Sequence, residues 1–153
     1  MPAGRTDCAS RDIAAPADRL WQAWFGPGEL VQWLPPGDMR GEVLALEPSQ
    51  GGAFRMRLTY ASDGTGKTTA NTDLVEGVFA LIEPPHRFRL DTVFRSDDPA
   101  FAGIMQMTWS FEPIPGGTRV TVSAENVPPG ISAADHANGL DLSLDNLARH
   151  VET

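Results

Sequence analysis

Three kinds of residue in this chain have the chemistry and spacing of a reactive site. The first is the stretch ASDGTGKTT, residues 61–69, which fits a relaxed phosphate-binding loop with Ala61 in the first small-residue position, then Gly66, Lys67 and Thr68. Such a loop works when a glycine-rich turn leaves a strand and enters a helix, so that backbone N–H groups and the positive end of the helix dipole face the phosphates. Here FRMRLTY before the loop reads as a strand, but TTANTDLVEGVF after it is rich in Thr, Asn and Asp and then in β-formers. That makes a second strand, not a helix. No later apolar strand ends in an aspartate suited to magnesium, and the surroundings read as antiparallel rather than βαβ. The stretch is expected to be a solvated hairpin tip whose glycines supply positive φ.

The second kind is the metal-ligating or nucleophilic side chain. His86, His136 and His150 are the only histidines, and no pair has the i, i+4 spacing of a helical metal site. His150 reads as a partner of a helix C-terminal dipole. Cys8 is the single cysteine, which excludes an internal disulfide and a cysteine-based structural zinc site. With no histidine near it in sequence, Cys8 reads as a buried structural or inert thiol. No Gly-x-Ser-x-Gly is present. No metal, cofactor or catalytic residue is therefore expected.

The third kind is the carboxylate within a strand. Asp91 shares the parity of Arg87 and Arg89 and is expected outside. Glu76, in LVEGV, has no face fixed by pattern. Facing inward, it would be desolvated, its pKa raised, and it would act as an acid, a base or the polar anchor of a ligand site. Facing outward, it would pair with a neighbouring arginine.

These residues are positioned by elements legible from periodicity. CASRDIAA reads as a first strand, after which Pro16 opens the helix PADRLWQAWF with Leu20, Trp21 and Trp24 on one face. GPG at 26–28 stops it. ELVQWL reads as a second short helix ended by Pro35 and Pro36. From residue 40 the period becomes two. GEVLALEP, GGAFRMRLTY, TDLVEGVFALIEPP, HRFRLDTVF, IMQMTWSFEP and TRVTVSAE read as strands of an antiparallel meander. Phe54, Met56, Met105, Met107, Trp109 and Phe111 fall on inward parity. Ser132 then reads as the N-cap of a terminal helix, with Asp135 in the capping-box position. Ala137, Leu140, Leu144, Leu147 and Val151 form its apolar stripe, which must bury itself on the concave face of the sheet.

Composition limits what such a chain can do. At 153 residues it is one domain's worth, spanning 1–153, and 41% hydrophobic with 21% charged residues is ordinary for a soluble globular protein. A formal net charge of −8 without a basic patch disfavours nucleic acid. No apolar run approaches the roughly 20 residues of a membrane span. MPAGRTDCASRD lacks a signal-peptide core, so a cytoplasmic location is expected.

Taken in order, IAAPADRLWQAWFGPGELVQWLPP, LEPSQGGAFRMRL, EGVFALIEPPHRFRLDTVF, TWSFEPIPGGTRVTVSAENVP and HANGLDLSLDNLARHVE span nearly the whole chain. Together they resemble the SRPBCC superfamily of START-like, birch-pollen-allergen-like proteins, and within it the group named after the activator of the heat-shock chaperone's ATPase. The family's usual two tryptophans before a proline are Trp33 and Leu34 here, and its Gly-Trp in the last helix is Gly139 and Leu140. The resemblance implies an α+β helix-grip fold: a curved antiparallel sheet of six or seven strands wrapped around a long C-terminal helix, with a hydrophobic cavity between them. It also implies apolar ligands such as lipids, sterols or polyketides, and in some members cyclase or aromatase chemistry. The chaperone-activating member has two domains, whereas this chain is expected to form a single one.

The leading expectation is thus a module binding an apolar or amphipathic small molecule. Its candidate residues are Trp24, Trp33, Phe54, Met56, Met107, Trp109, Leu140 and Leu144 as walls and Glu76 as anchor. A cyclase/aromatase-like or hydrolase-like enzyme using the same cavity is the second expectation. The third is an interaction domain acting on a chaperone or as a homodimer through a sheet edge.

Overall fold

In a computed structural model the described residues are 5–26, 28–35, 40–59, 72–94 and 103–152. Period-two segments form seven strands: β1 (Arg5–Ile13), β2 (Arg40–Leu46), β3 (Ala53–Thr59), β4 (Thr72–Glu83), β5 (Arg87–Phe94), β6 (Met105–Ile114) and β7 (Gly117–Val127). They make one sheet in the order β1-β7-β6-β5-β4-β3-β2. Every neighbouring pair is antiparallel. Helix α1 (Ala17–Phe25) follows β1, and α2 (Ala133–Glu152) closes the chain. This is the expected α+β helix-grip arrangement.

Alternation decides which face is covered. Phe54 and Met56 of β3, Phe88, Leu90 and Thr92 of β5, Trp109 and Phe111 of β6, and Val120, Val122 and Ala124 of β7 are all buried on the concave side. The intervening Arg55, Arg57 and Arg119 face water and pair with Glu76, Glu42 and Asp12. Register shifts at Arg5/Asp7, Val43/Ala45 and Phe79/Leu81 add residues to one strand of a pair. Bulges of this kind bend a strand, and here they help the sheet to curve.

The caps explain the helix boundaries. Pro16 stands just before α1 in extended conformation, and its carbonyl accepts from Arg19 N at 3.0 Å. Ser132 Oγ accepts from Asp135 N at 3.1 Å, the expected N-cap of α2. Two expectations are corrected. The second short helix is a single 3₁₀ turn, Leu30–Gln32, whose tight i, i+3 spacing sends both Leu30 and Trp33 into the core. The stripe of α2 begins at Leu140, because Ala137 is exposed beyond the covered sheet and His136 beside it turns toward β1 instead.

Residues 61–69 lie outside the described residues. The strands flanking them pair antiparallel, with Thr59 opposite Thr72, so the chain returns as a strand where a phosphate loop needs a helix. Lys67→Ala is expected to leave ligand binding and folding unchanged, and calorimetry with ATP is expected to show no heat of binding; measurable ATP affinity lost on that substitution would contradict this.

Candidate functional site

The apolar candidates converge between the sheet and α2. Helix α1 buries Leu20, Ala23 and Trp24 at i, i+3 and i+4, which lays the Trp24 indole over the concave face. Its ring centroid is 4.7 Å from Phe88, 5.3 Å from Trp109, 5.8 Å from Trp33 and 6.2 Å from Phe54. Three of these contacts are edge-to-face, the arrangement that ring quadrupoles favour. Trp33 in turn stands 5.7 Å from Trp109. Met56, Leu140 and Leu144 belong to the same buried cluster, and Met107 packs half-buried against it. Phe79 and Phe88 are fully buried members that sequence reasoning left out of the site. Their inward strand parity was the available signal.

Glu76 is placed elsewhere. It lies 3.0 Å from Arg55 Nε, on the parity of half-exposed Val78 and opposite to buried Phe79. Both arginine and glutamate therefore belong to the convex face. The outward alternative describes Glu76, and the polar anchor among the candidates is removed from the apolar cluster. Asp91 is outside as expected, bonded to Arg89 at 2.9 Å.

Polar groups hold α2 over the cluster, and of these Ser143 and Asn146 were not singled out from sequence. Ser143 Oγ donates to the Leu34 carbonyl at 2.8 Å, and Asn146 Nδ2 donates to the carbonyls of Trp33 at 3.2 Å and Pro35 at 3.3 Å. These bonds satisfy backbone groups of the irregular segment that carries Trp33. At the N-terminal end of α2, His136 Nδ1 is 2.7 Å from Asp7 Oδ2, and Arg5 Nη2 bonds the same oxygen at 3.0 Å. At the C-terminal end, His150 Nε2 is 2.8 Å from Glu29 Oε1, which also accepts from Arg19 at 2.7 Å. His150 thus meets a carboxylate as well as the helix terminus.

Both carboxylates titrate below their ordinary values. Burial opposes the ionisation of Asp7, but hydrogen bonds and charge from Arg5 and His136 outweigh it. Burial likewise opposes Glu29, and Arg19 and His150 outweigh it in the same way. These pairs are built for attachment of the helix.

The remaining reactive side chains are dispersed. Cys8 is exposed, with Sγ 3.5 Å from Ser123 Oγ, which corrects the expectation of a buried thiol: alternation along β1 from buried Ile13 puts Cys8 on the solvent side, opposite Ser123, whose neighbours Val122 and Ala124 point inward. His86 is exposed in the turn between β4 and β5. Among the described residues no group of three His, Cys, Asp or Glu side chains is placed to hold a metal. No described helix is long and apolar enough to cross a membrane.

Similarity to other proteins follows the same geometry. Residues 14–152 match the family described as Activator of Hsp90 ATPase homolog 1-like protein. The chain is similar to protein CV1439 from Chromobacterium violaceum, with 28% identity, a TM-score of 0.85 and 97% of each chain covered. It is also similar to a protein from Rhodobacter sphaeroides, with 23% identity, a TM-score of 0.78, and 99% of this chain and 97% of that one covered. A third likeness is to DynU16, a protein of the dynemicin biosynthetic locus, with 22% identity and a TM-score of 0.69, covering 97% of this chain and 47% of that one. The last two likenesses carry the fold alone. A search among curated proteins gives no match.

Proposed function

The chain belongs to the family of Activator of Hsp90 ATPase homolog 1-like proteins, and from that premise we propose that it binds a hydrophobic or amphipathic small molecule between the sheet and α2, as one domain acting in the cytoplasm. The observation that carries the reading is the convergence of Trp24, Trp33, Phe54, Met56, Trp109, Leu140 and Leu144 in one apolar cluster. Half-buried Leu34, Leu58, Val75 and Met107 pack at its margin and extend the apolar surface toward solvent.

Gly77 lies opposite buried Phe54 and Thr92, and its missing side chain lets β5 pack closely: a Cβ there would stand 2.5 Å from the Asp91 carbonyl oxygen and 3.2 Å from Leu90 Cδ1. Gly139 precedes Leu140 on α2, and a Cβ added there would meet nothing within 4 Å. A ligand entering this region would gain about 25 cal/mol for each Å² of apolar surface removed from water. With Glu76 on the convex face, the cluster's chemistry is apolar, which favours sequestration over proton transfer.

Native mass spectrometry of the purified protein is expected to show a retained small molecule, and N-phenyl-1-naphthylamine is expected to bind one to one with enhanced fluorescence. The absence of both a retained mass and a saturable fluorescence change would overturn the reading. Gly139→Phe places a large side chain in that open space beside Leu140 and should weaken probe binding at least about tenfold, while exchanging a helical glycine for phenylalanine raises helix propensity by roughly 0.5 kcal/mol. Weaker binding without a lower unfolding midpoint is the expected pair of results, read by titration and thermal melting.

A further inference from the structure

Two of the three buried indoles in the cluster, Trp24 and Trp33, stand side by side and differ in one respect. Trp33 is fully buried, and its Nε1–H donates to the Ala23 carbonyl at 2.9 Å. Trp24 is 2% exposed, and its Nε1 has no hydrogen-bond partner; among the described residues it is the one buried side-chain nitrogen or oxygen so placed. Buried polar groups are nearly always bonded, since a donor stripped of water and given nothing in return destabilises the fold. The other buried polar side chains follow that rule: Thr92 donates to the Met105 carbonyl, Thr118 to that of Ala15 and Ser143 to that of Leu34. The rings around Trp24 offer at best their π faces, which are weak acceptors.

We propose that Trp24 Nε1–H is the polar anchor of the ligand site, and that the ligand is an apolar molecule carrying a hydrogen-bond acceptor such as a ketone, ester or lactone oxygen. This inference rests on the binding function proposed above and supplies the polar contact that Glu76, on the convex face, does not. An indole N–H donates and never accepts, so it selects carbonyl-bearing ligands over hydrocarbons of the same shape. The Trp24 ring that carries this donor stands among Trp33, Phe54, Phe88 and Trp109, in the same apolar cluster as Met56, Leu140 and Leu144, so an acceptor bonded to it would carry its apolar body into that cluster.

The test compares 2-acetonaphthone with 2-isopropenylnaphthalene, which replaces the carbonyl oxygen by a methylene group at nearly constant shape. Titrated by isothermal calorimetry or tryptophan quenching, the ketone is expected to bind about 5- to 10-fold more tightly, the net worth of one hydrogen bond. Site-specific replacement of Trp24 by 3-benzothienylalanine, which exchanges N–H for sulfur and keeps the bicyclic shape, should abolish that preference while leaving the affinity for the hydrocarbon unchanged. Trp24→Phe serves as the encoded counterpart and assigns the Trp24 indole signal in a nitrogen-15 spectrum; the ketone should move that signal downfield and the hydrocarbon should not. Equal affinities for the two probes, or a preference that survives the benzothienyl replacement, would overturn the anchor and leave the binding function standing. Binding of neither probe would overturn both.

Discussion

Phe88→Ala is expected to lower stability by about 3–5 kcal/mol, the range for truncating a fully buried aromatic ring. Phe88 has no exposed surface and lies at the centre of the cluster, with centroids 4.7 Å from Trp24, 5.2 Å from Phe25, 5.8 Å from Phe79, 5.9 Å from Trp21 and 6.4 Å from Phe111. Removing it leaves a gap that two elements, α1 and the sheet, must both move to fill. For a domain of this size, about 2–4 °C is lost per kcal/mol, so the unfolding midpoint should fall by about 6–20 °C. Trp21→Ala, at a half-buried position on the rim, should cost less. Thermal melts of both variants check the order, and an equal loss for the two would contradict a core centred on Phe88.

Asp7 carries the second large effect, through pH. Its folded pKa lies below the ordinary 3.8, because Arg5 and His136 favour its charge more than burial disfavours it. A depressed carboxyl contributes stability that is complete above the unfolded pKa and is lost as pH falls through the folded one. The unfolding midpoint should therefore hold near neutrality and decline below about pH 4, and Glu29, depressed from 4.5, adds to the decline in the same direction. Asp7→Asn keeps the shape and removes the charge. It should cost about 1–3 kcal/mol at pH 6, as hydrogen bonds to a partly buried charge do, with a gap to the wild type that narrows toward pH 3. A gap independent of pH would show that the Arg5–Asp7–His136 cluster does not hold α2 through charge.

Much of this arrangement was legible in the sequence, because it depends on periodicity. A strand with Phe54, Met56 and Leu58 on one parity can bury only one face. A helix with Leu140, Leu144 and Leu147 on one stripe has one partner available, and the turn residues between strands favour antiparallel neighbours. The strand candidates Phe54, Met56 and Trp109 followed from the same rule, since their inward parity carries them into the cluster, whereas Met105, on the same parity, joins a second cluster with Ala124, Val127 and Ile131.

Glu76 shows where periodicity stops. The bulge between Phe79 and Leu81 shifts β4 by one residue, so inward positions run through Val75, Gly77 and Phe79 and then resume at Ile82. LVEGVFALI consequently reads as apolar on both parities. Only the pairing of Arg55 with Glu76 decides the face.

By itself, the sequence determined an antiparallel sheet with the terminal helix on its concave face and the apolar character of the layer between them, because both are set by which side chains avoid water. The tertiary structure decided the polar details: Glu76 outside, Asp7 and Glu29 each joined to a histidine of α2, and Trp33 bonded where Trp24 is not. Each of these depends on a partner distant in the chain or on a one-residue shift in register, and hydrogen bonds depend on ångström-scale geometry that a pattern of residue types does not carry.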